Sequence, residues 1–341
     1  LAQGNQGHRR APPRACIREC RLPSSRAMVL ARSTIGVLLA VQGAAQRLRI
    51  TNGCKHEPLW VAHMATNTSG PDPENLKIEP LKFYDFETEK GLTGTRYWAK
   101  MRCDPHGNAC DIGESGGPDE KCNLTLGCAP PVDTKFEASF GVSGVDWVDV
   151  SLVDGWTLPF TFEMDKKCSA GDGDRKVTKK IDCSKLSFDN CPTVENLHND
   201  TKVSLQVRHP STGAVVGCYS PCSKLTLNQW QNEAARGFGP ADPSVAPYCC
   251  PTPPESPTAC RKGPVATTEF VKAVHRDCPG VYGYSYDDGM GLLLCPADTK
   301  YVMTFFCPSS PPPTTTAATT ATAATTTVAA TTTAAATTTA A

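Results

Sequence analysis

The sequence lacks long apolar runs and cysteine pairs with two intervening residues, and each absence excludes a class of protein. The apolar run at residues 35–41 is far shorter than the ~20 residues with which a helix crosses a bilayer. No two cysteines are spaced as C-x2-C, the arrangement that structural zinc sites favour. We therefore predict no transmembrane segment and no metal centre, and we expect no cofactor.

Negative charge is scarce at the start of the chain, and its end carries no charge at all. The sequence has 34 basic and 34 acidic residues, but seven Arg and only one Glu precede residue 46, and no charged residue follows residue 307. The segment between them therefore has a net charge of about −6. Such an acidic segment disfavours nucleic acid as a partner, because nucleic acid is itself a polyanion.

Composition divides the chain into four segments. Residues 1–27 lack an initiating Met and resemble upstream sequence read in frame. Residues 28–45 combine one Arg, the apolar run and small residues near the end, which is typical of a secretory signal peptide. Residues 46–307 are the predicted folded domain. Residues 308–341 contain only Pro, Ser, Thr, Ala and one Val, which favours a disordered, O-glycosylated stalk or linker over an Ala/Thr helix.

Cysteine is abundant in the folded segment. Sixteen of the 18 cysteines lie between Cys54 and Cys307, and thiols at this density persist as disulfides in an oxidising compartment. We therefore expect a secreted protein, extracellular or associated with a cell wall, that acts as a monomer. The triplets at Asn67, Asn123 and Asn199 are glycan acceptors if they are exposed.

The pattern of the folded segment predicts mainly β-structure. Short β-branched or aromatic runs, broken by Gly, Pro, Asn and Asp, occupy residues 48–52, 59–63, 97–101, 136–142, 147–153, 203–207, 214–219 and 301–306. Their spacing predicts an antiparallel β-sandwich. Helical patterns are confined to residues 225–235 and 267–276, which predicts a disulfide-rich lobe of loops and short helices beside the sandwich.

A series of motifs follows in order along this segment: Ile50–Cys54, Thr95–Cys103, Phe136–Phe140, Asp146–Trp156, Cys249–Cys250 and Tyr282–Asp288. The series resembles that of the thaumatin-like proteins, the family of thaumatin, osmotin and zeamatin, and covers roughly residues 48–307. The resemblance implies the thaumatin-like fold, with a β core and a disulfide-rich lobe.

The resemblance also implies a disulfide pairing that spacing alone cannot choose: Cys54–Cys307, Cys103–Cys110, Cys168–Cys295, Cys183–Cys278, Cys191–Cys218, Cys222–Cys249 and Cys250–Cys260. Ser115 departs from the pattern, because it stands where the family has a cysteine and leaves Cys122 without its usual partner. We predict a Cys122–Cys128 bridge instead. The stretches between Cys191 and Cys218 and between Cys222 and Cys249 are longer than expected for the family. The structure of the lobe is therefore the part that the resemblance predicts least well.

Five ionisable residues match those that line an acidic, β-1,3-glucan-binding cleft in the family: Arg96, Glu137, Asp149, Asp154 and Asp287. Carboxylates that face one another raise each other's pKa, whereas a nearby Arg opposes that rise. Such carboxylates also accept hydrogen bonds from sugar hydroxyls. In an uninterrupted strand Asp154 would face away from Asp149, so both reach one cleft only if the strand ends or bulges near Val153.

Aromatic residues near the five could stack on sugar rings or belong to the core: Trp147, Trp156, Tyr284 and Tyr286. The function that we expect is binding of β-1,3-glucan or a related cell-wall polysaccharide, with a role in defence. One alternative is a weak endo-β-1,3-glucanase with Glu137 as acid and Asp154 as nucleophile or base. Others are inhibition of a foreign hydrolase and a structural ion-pair network around Arg96. The seven His show no pairing pattern that would favour nucleophilic catalysis.

Overall fold

The computed structural model of the protein describes residues 45–66, 70–113, 129–197, 201–235 and 237–308. Several predicted features lie outside the described residues: Asn67, Asn123, Asn199, Ser115, the Cys122–Cys128 bridge, residues 1–44 and residues 309–341. No helix in the described ranges is both long and apolar enough to cross a bilayer.

The described ranges contain seventeen strands: β1 Gln46–Asn52, β2 Leu59–Met64, β3 Leu76–Ile78, β4 Phe83–Glu87, β5 Thr95–Lys100, β6 Lys135–Val142, β7 Val145–Ser151, β8 Gly155–Trp156, β9 Phe160–Met164, β10 Ser169–Ala170, β11 Lys180–Cys183, β12 Glu195–Leu197, β13 Thr201–Val203, β14 Gln206–Arg208, β15 Val215–Tyr219, β16 Leu293–Pro296 and β17 Tyr301–Phe305. The α-helices are α1 Pro221–Thr226, α2 Ala246–Cys249, α3 Pro257–Lys262, α4 Glu269–Asp277 and α5 Asp288–Gly291. Short 3-10 helices occupy Phe188–Asn190, Gln229–Gln231 and Pro264–Thr267.

Two large sheets form the β core. The seven-stranded sheet has the order β10-β16-β7-β6-β5-β2-β3, and the five-stranded sheet has the order β11-β9-β17-β1-β4. Neighbouring strands in both sheets are antiparallel apart from β1 and β17, which pair in parallel. The prediction of a mainly β, antiparallel fold is confirmed, and the parallel pair brings the first and last strands together.

Aromatic side chains fill the space between the two sheets. The ring of Phe136 on β6 lies 5.4 Å from that of Phe162 on β9 and 5.9 Å from that of Tyr301 on β17. All three side chains are fully buried, and each buried aromatic ring removes a large apolar area from water. The contacts between facing rings make the two sheets a sandwich.

Strand β6 shows how this core positions charged groups. Phe136, Ala138 and Phe140 are almost fully buried and face the sandwich interior. Lys135 and Glu137 occupy the alternate positions of this strand. Because side chains alternate along a strand, these two project from the opposite face of the seven-stranded sheet. The apolar alternation of this strand therefore determines which face carries the charged residues.

The prediction of one helix over residues 225–235 is wrong. Helix α1 ends at Thr226, and Trp230 has left-handed backbone angles. The side-chain amide of Asn232 donates to the carbonyl oxygens of Lys224 and Leu227, at 2.9 and 2.6 Å. These carbonyls would accept from backbone amides if the helix continued, so the side chain competes with the helix and ends it.

Two other predicted elements have different outcomes. The helix expected over residues 267–276 is present as α4, and Thr268 caps it by accepting from the amide of Val271. The single strand expected over residues 203–207 is wrong, because β13 ends before β14 begins. Between them the amide of Leu205 donates to the carbonyl of Pro192, which draws the chain from one hairpin to the next.

Seven disulfides join described residues, in the pairs that the family resemblance implies: Cys54–Cys307, Cys103–Cys110, Cys168–Cys295, Cys183–Cys278, Cys191–Cys218, Cys222–Cys249 and Cys250–Cys260. Two of them have clear architectural consequences. Cys54–Cys307 links the two ends of the domain, and Cys183–Cys278 links β11 of the sandwich to the end of α4 in the lobe.

We expect these bridges to contribute unequally to stability. Replacing Cys54 and Cys307 by Ser should lower the free energy of unfolding by about 2–3 kcal/mol more than replacing Cys103 and Cys110, because a longer loop constrains the unfolded chain more. The sequence separations are 253 and 7 residues. Denaturant unfolding of the two double variants measures the difference, and equal losses would contradict this explanation.

Candidate functional site

Three of the five predicted site residues form a row across adjacent strands. Arg96 on β5 lies directly opposite Glu137 on β6, and Glu137 lies directly opposite Asp149 on β7. Directly opposed side chains in an antiparallel sheet have Cβ atoms about 4.5–5.5 Å apart. The register therefore holds one guanidinium and two carboxyl groups side by side on the face that points away from the sandwich interior.

Arg96 and Glu137 form an ion pair at the protein surface. The distance from Arg96 Nε to Glu137 Oε1 is 2.7 Å, and the two side chains are 44% and 21% exposed. An exposed pair of this kind contributes at most about 1 kcal/mol to folding. Its main effect is to orient the Glu137 carboxylate while both groups stay accessible from solvent.

Asp149 is buried beneath this surface, with only 5% of its area exposed. Burial and the neighbouring charge of Glu137 raise the pKa of Asp149 well above its ordinary value, and Asp288 adds to the effect. Arg96 opposes the rise, because a nearby cation favours the ionised form. Asp149 therefore holds its proton to a higher pH than an ordinary aspartic acid, directly beside Glu137.

Asp154 reaches the same region because β7 ends before it. The strand stops at Ser151, and the amide of Gly155 donates to the carbonyl of Leu152 at 3.0 Å. Gly155 has a φ of +122°, and a Cβ atom there would lie 2.1 Å from the carbonyl oxygen of Cys218. A glycine is thus required at the turn, and the strand ends near Val153 as the alternation argument demands.

Lys135 connects Asp154 to the row, and the sequence reasoning missed it. Its Nζ atom donates to Asp154 Oδ2 at 2.7 Å and lies 3.7 Å from Oδ2 of the fully buried Asp133. Burial alone would lower the pKa of Lys135, but Asp154 and Asp133 raise it above its ordinary value, with a smaller contribution from Glu137. The available signal was its position two residues before Glu137, on the same face of β6.

Asp287 enters from the lobe, on a segment that docks against β7. The amide of Tyr282 donates to the carbonyl of Val150 at 3.0 Å, which fixes this segment to the sheet. The Asp287 carboxylate accepts from the amide of Gly283 at 3.0 Å and lies 2.8 Å from Nε2 of His275. Its side chain is only 8% exposed, so Asp287 orders the lobe segment beside the site through these buried contacts.

His275 is a second residue that the sequence reasoning missed. No local pattern indicates that His275 has a charged partner, because it lies on α4, twelve residues before Asp287. Only the packing of α4 against the Tyr282–Asp288 segment brings them together. The phenol of Tyr282 on this segment donates to Oδ1 of Asp288 at 2.7 Å, and burial, the charge of Asp149 and this hydrogen bond raise its pKa.

The four aromatic candidates divide between core and surface. Trp156 is fully buried and its ring stacks on that of Phe270, with centroids 4.9 Å apart. Tyr284 is also buried, and burial raises its pKa to about 12. Trp147 and Tyr286 remain half-buried. Trp147 shares the outer face of β7 with Asp149, so it is the better placed of the two to contact a ligand.

Exposure separates the five charged residues into two groups. Arg96, Glu137 and Asp154 present polar groups to solvent, whereas Asp149 and Asp287 are buried beneath them. The three exposed residues offer the N–H donors of one guanidinium and the oxygen acceptors of two carboxylates, which suits a ligand with several hydroxyls. Within the described residues, no set of three or more His, Cys, Asp or Glu side chains is arranged to hold a metal ion.

Comparison with known proteins agrees with this architecture. The family model described as the thaumatin family matches residues 52–308, which is well over half of the chain. The chain belongs to the thaumatin family. The expectation from its ordered motifs is therefore confirmed, and the seven described disulfides and the mainly β sandwich are those of a thaumatin-family protein.

Three relatives show how far the similarity extends. Thaumatin-like protein 2 of Prunus persica is 28% identical, over 80% of this chain and 94% of the relative. Thaumatin-like protein 1a of Malus domestica is 30% identical, over 81% of this chain and 97% of the relative. A protein of Prunus avium named glucan endo-1,3-beta-glucosidase is 27% identical, over 82% of this chain and 98% of the relative.

We expect Lys135 to stabilise this thaumatin-family fold as a buried counter-charge. Lys135→Met should lower the free energy of unfolding by about 3–5 kcal/mol, because it removes a buried cation from beside the carboxylates of Asp133 and Asp154. Lys135→Met combined with Asp133→Asn should restore a large part of the loss. The control is Lys180→Met, in an exposed pair with Glu163, which should cost less than about 1 kcal/mol. Equal losses in the two Met variants, measured by urea unfolding, would contradict this role.

Asp149 should make stability depend on pH in a defined direction. Because its pKa is raised in the folded state, its contribution to stability is complete below the ordinary pKa of aspartic acid and is lost as the pH rises through the raised value. The Asn side chain of the Asp149→Asn variant does not titrate. The melting temperature of this variant minus that of the unmodified protein should therefore increase between about pH 4 and pH 7. The exposed Asp174→Asn variant is the control. A constant difference in melting temperature across this range would refute the assignment.

Proposed function

We propose that the protein binds β-1,3-glucan through the exposed charged groups of Arg96, Glu137 and Asp154. The observation that carries the proposal is the row Arg96–Glu137–Asp149, in which the strand register supplies an oriented, accessible carboxylate above a buried one. Sugar hydroxyls donate to carboxylates and accept from guanidinium groups, so a neutral polysaccharide satisfies all three exposed side chains.

The buried residues prepare this surface for its ligand. Asp149, protonated more readily than usual, relieves the repulsion that a second carboxylate would impose on Glu137. Lys135 holds the Asp154 carboxylate at a fixed position. Groups already oriented by the protein lose little freedom when a ligand binds. The half-buried Trp147 supplies an apolar ring on the same face of β7 for contact with a sugar ring.

Export from the cell forms part of the proposal. The seven described disulfides need an oxidising compartment to form and persist. Export would bring the protein to the polysaccharides of the cell wall, where a defence role would be exercised. The boundaries that we propose remain a signal peptide before residue 46, a folded domain to residue 307 and a Thr/Ala-rich stalk beyond it.

A second candidate function is hydrolysis of the same polymer. It is favoured by the relative named glucan endo-1,3-beta-glucosidase and by the raised pKa of Asp149, because a glycosidase needs one carboxyl that stays protonated near its working pH. In this mechanism Asp149 would hold a proton and pass it to Glu137, which would act as the acid, while Asp154 would act as the nucleophile or base. Binding is preferred because it needs only the oriented surface, whereas hydrolysis also needs a matched pair of carboxyl groups.

Two substitutions of Glu137 separate the functions. Glu137→Ala should weaken binding of laminarin oligosaccharides by roughly tenfold, since it removes a charged acceptor. Glu137→Gln keeps an oxygen acceptor, so binding should fall by only a few fold, whereas any release of reducing ends should cease. Calorimetry measures the first quantity and a reducing-sugar assay measures the second.

The matched control is Glu163→Ala on β9, because that carboxylate is also ion-paired but lies on the other sheet. It should leave laminarin binding unchanged. If Glu163→Ala weakens binding as much as Glu137→Ala, or if the unmodified protein does not bind laminarin, the proposal fails. Binding without release of sugar by the unmodified protein would exclude the hydrolase.

A further inference from the structure

The lobe contains a groove that none of the five charged site residues lines. Its volume is about 450 Å³, within the range of small-molecule sites in proteins. We call it the lobe groove; the side chains considered below are Gln206, Arg208, Tyr219, Lys224, Trp230 and Glu233. It lies on the β14–β15 hairpin and on the segment that follows α1, inside the interval between Cys222 and Cys249.

Lys224 places a half-buried cation in the lobe groove. Its side chain is half-buried, and its Nζ atom lies 5.0 Å from the centroid of the Tyr219 ring. Burial lowers the pKa of Lys224, and only the charge of the exposed Glu233 opposes this. No carboxylate in the described part of the chain forms an ion pair with this ammonium. A partly desolvated cation with a ring on one side is stabilised by an anion that enters the groove.

Arg208 adds a second cation with a fixed orientation. It is exposed, and its Nη1 atom donates to the carbonyl of Gly213 at 3.0 Å while Nη2 donates to Oε1 of Gln206 at 2.6 Å. Both of these partners are neutral. The lobe groove therefore carries two cations against the single carboxylate of Glu233, in a chain whose folded segment is acidic overall.

Trp230 supplies an apolar surface on a strained segment. Its indole is half-buried and held edge-on against the ring of His209, with centroids 4.9 Å apart. Trp230 and Gln231 have φ values of +51° and +55°, which disfavours each residue by about 1–3 kcal/mol. The indole nitrogen is buried without a hydrogen-bond partner. Strain and unpaired polar atoms of this kind concentrate at ligand clamps.

We propose that the lobe groove binds an acidic oligosaccharide built from uronic acid units. A sugar carboxylate would pair with Lys224 and Arg208, the ring would contact the indole of Trp230, and ring hydroxyls would exchange hydrogen bonds with Gln206 and Glu233. The combination of a half-exposed indole with an amide and a carboxylate favours a sugar over an acidic peptide, because sugars present an apolar ring face together with hydroxyls. This site is independent of the proposed glucan-binding row.

The direct test compares two probes on the full protein by calorimetry. Oligogalacturonide should bind at least tenfold more tightly than the same oligosaccharide with its carboxyl groups methyl-esterified, because the ester lacks the charge that Lys224 pairs with. Lys224→Gln should reduce that difference severalfold, because only Arg208 then remains to pair with the carboxylate, and it should leave binding of the ester unchanged. Lys300→Gln, which removes an exposed lysine of the sandwich, should have no effect. Equal binding of acid and ester, or no effect of Lys224→Gln, would overturn the proposal.

Four further measurements check this result. The melting temperature of each variant shows whether the lobe is still folded. Increasing salt should weaken binding of the acid more than that of the ester, because it screens only the charged contact. An excess of laminarin should not displace oligogalacturonide, and displacement would show that the ligand occupies the glucan-binding row instead. Tighter binding of an acidic peptide than of oligogalacturonide would refute the assignment to a sugar.

Discussion

The antiparallel register of β5, β6 and β7 is the constraint on which the charged site depends. A slip of one residue would turn Phe136 outwards and bury Glu137 against the five-stranded sheet. The contacts of Phe136 with Phe162 and Tyr301 oppose such a slip with the full strength of the aromatic core. The energy that fixes the charged residues thus comes from the apolar face of the same strands, and the weak ion pair between Arg96 and Glu137 adds orientation.

Buried counter-charges allow so many carboxyl groups to share one region. Lys135 compensates Asp133 and Asp154, while the Asp287 carboxylate lies within hydrogen-bond distance of the His275 ring and of a backbone amide. Within the described ranges Asp149 forms no ion pair, and burial and the charge of Glu137 raise its pKa instead. The site therefore uses two solutions to like-charge repulsion, ion pairing and protonation, and the second makes its charge depend on pH.

Many features of the fold could be predicted because they depend on local patterns. The alternation in β6 and β7, the end of β7 near Val153 and the helical pattern over residues 267–276 all depend on residues close together in the chain. The family motifs added what local patterns lack, namely the cysteine pairing and the five charged residues. Lys135 was missed although its alternation with Glu137 was visible, because an isolated lysine gives no sign that a buried Asp133 lies beside it.

The sequence alone was sufficient for the mainly β class, for the positions of strands such as β1, β2, β6 and β17, and for the disulfide-rich character, because these follow from periodicity, composition and ordered motifs. Only the tertiary structure established which charged groups are exposed, since burial depends on contacts between distant segments. It also paired His275 with Asp287, ended α1 through the side chain of Asn232, and formed the groove around Lys224. These outcomes depend on side chains brought together by packing, and no spacing along the chain encodes that proximity.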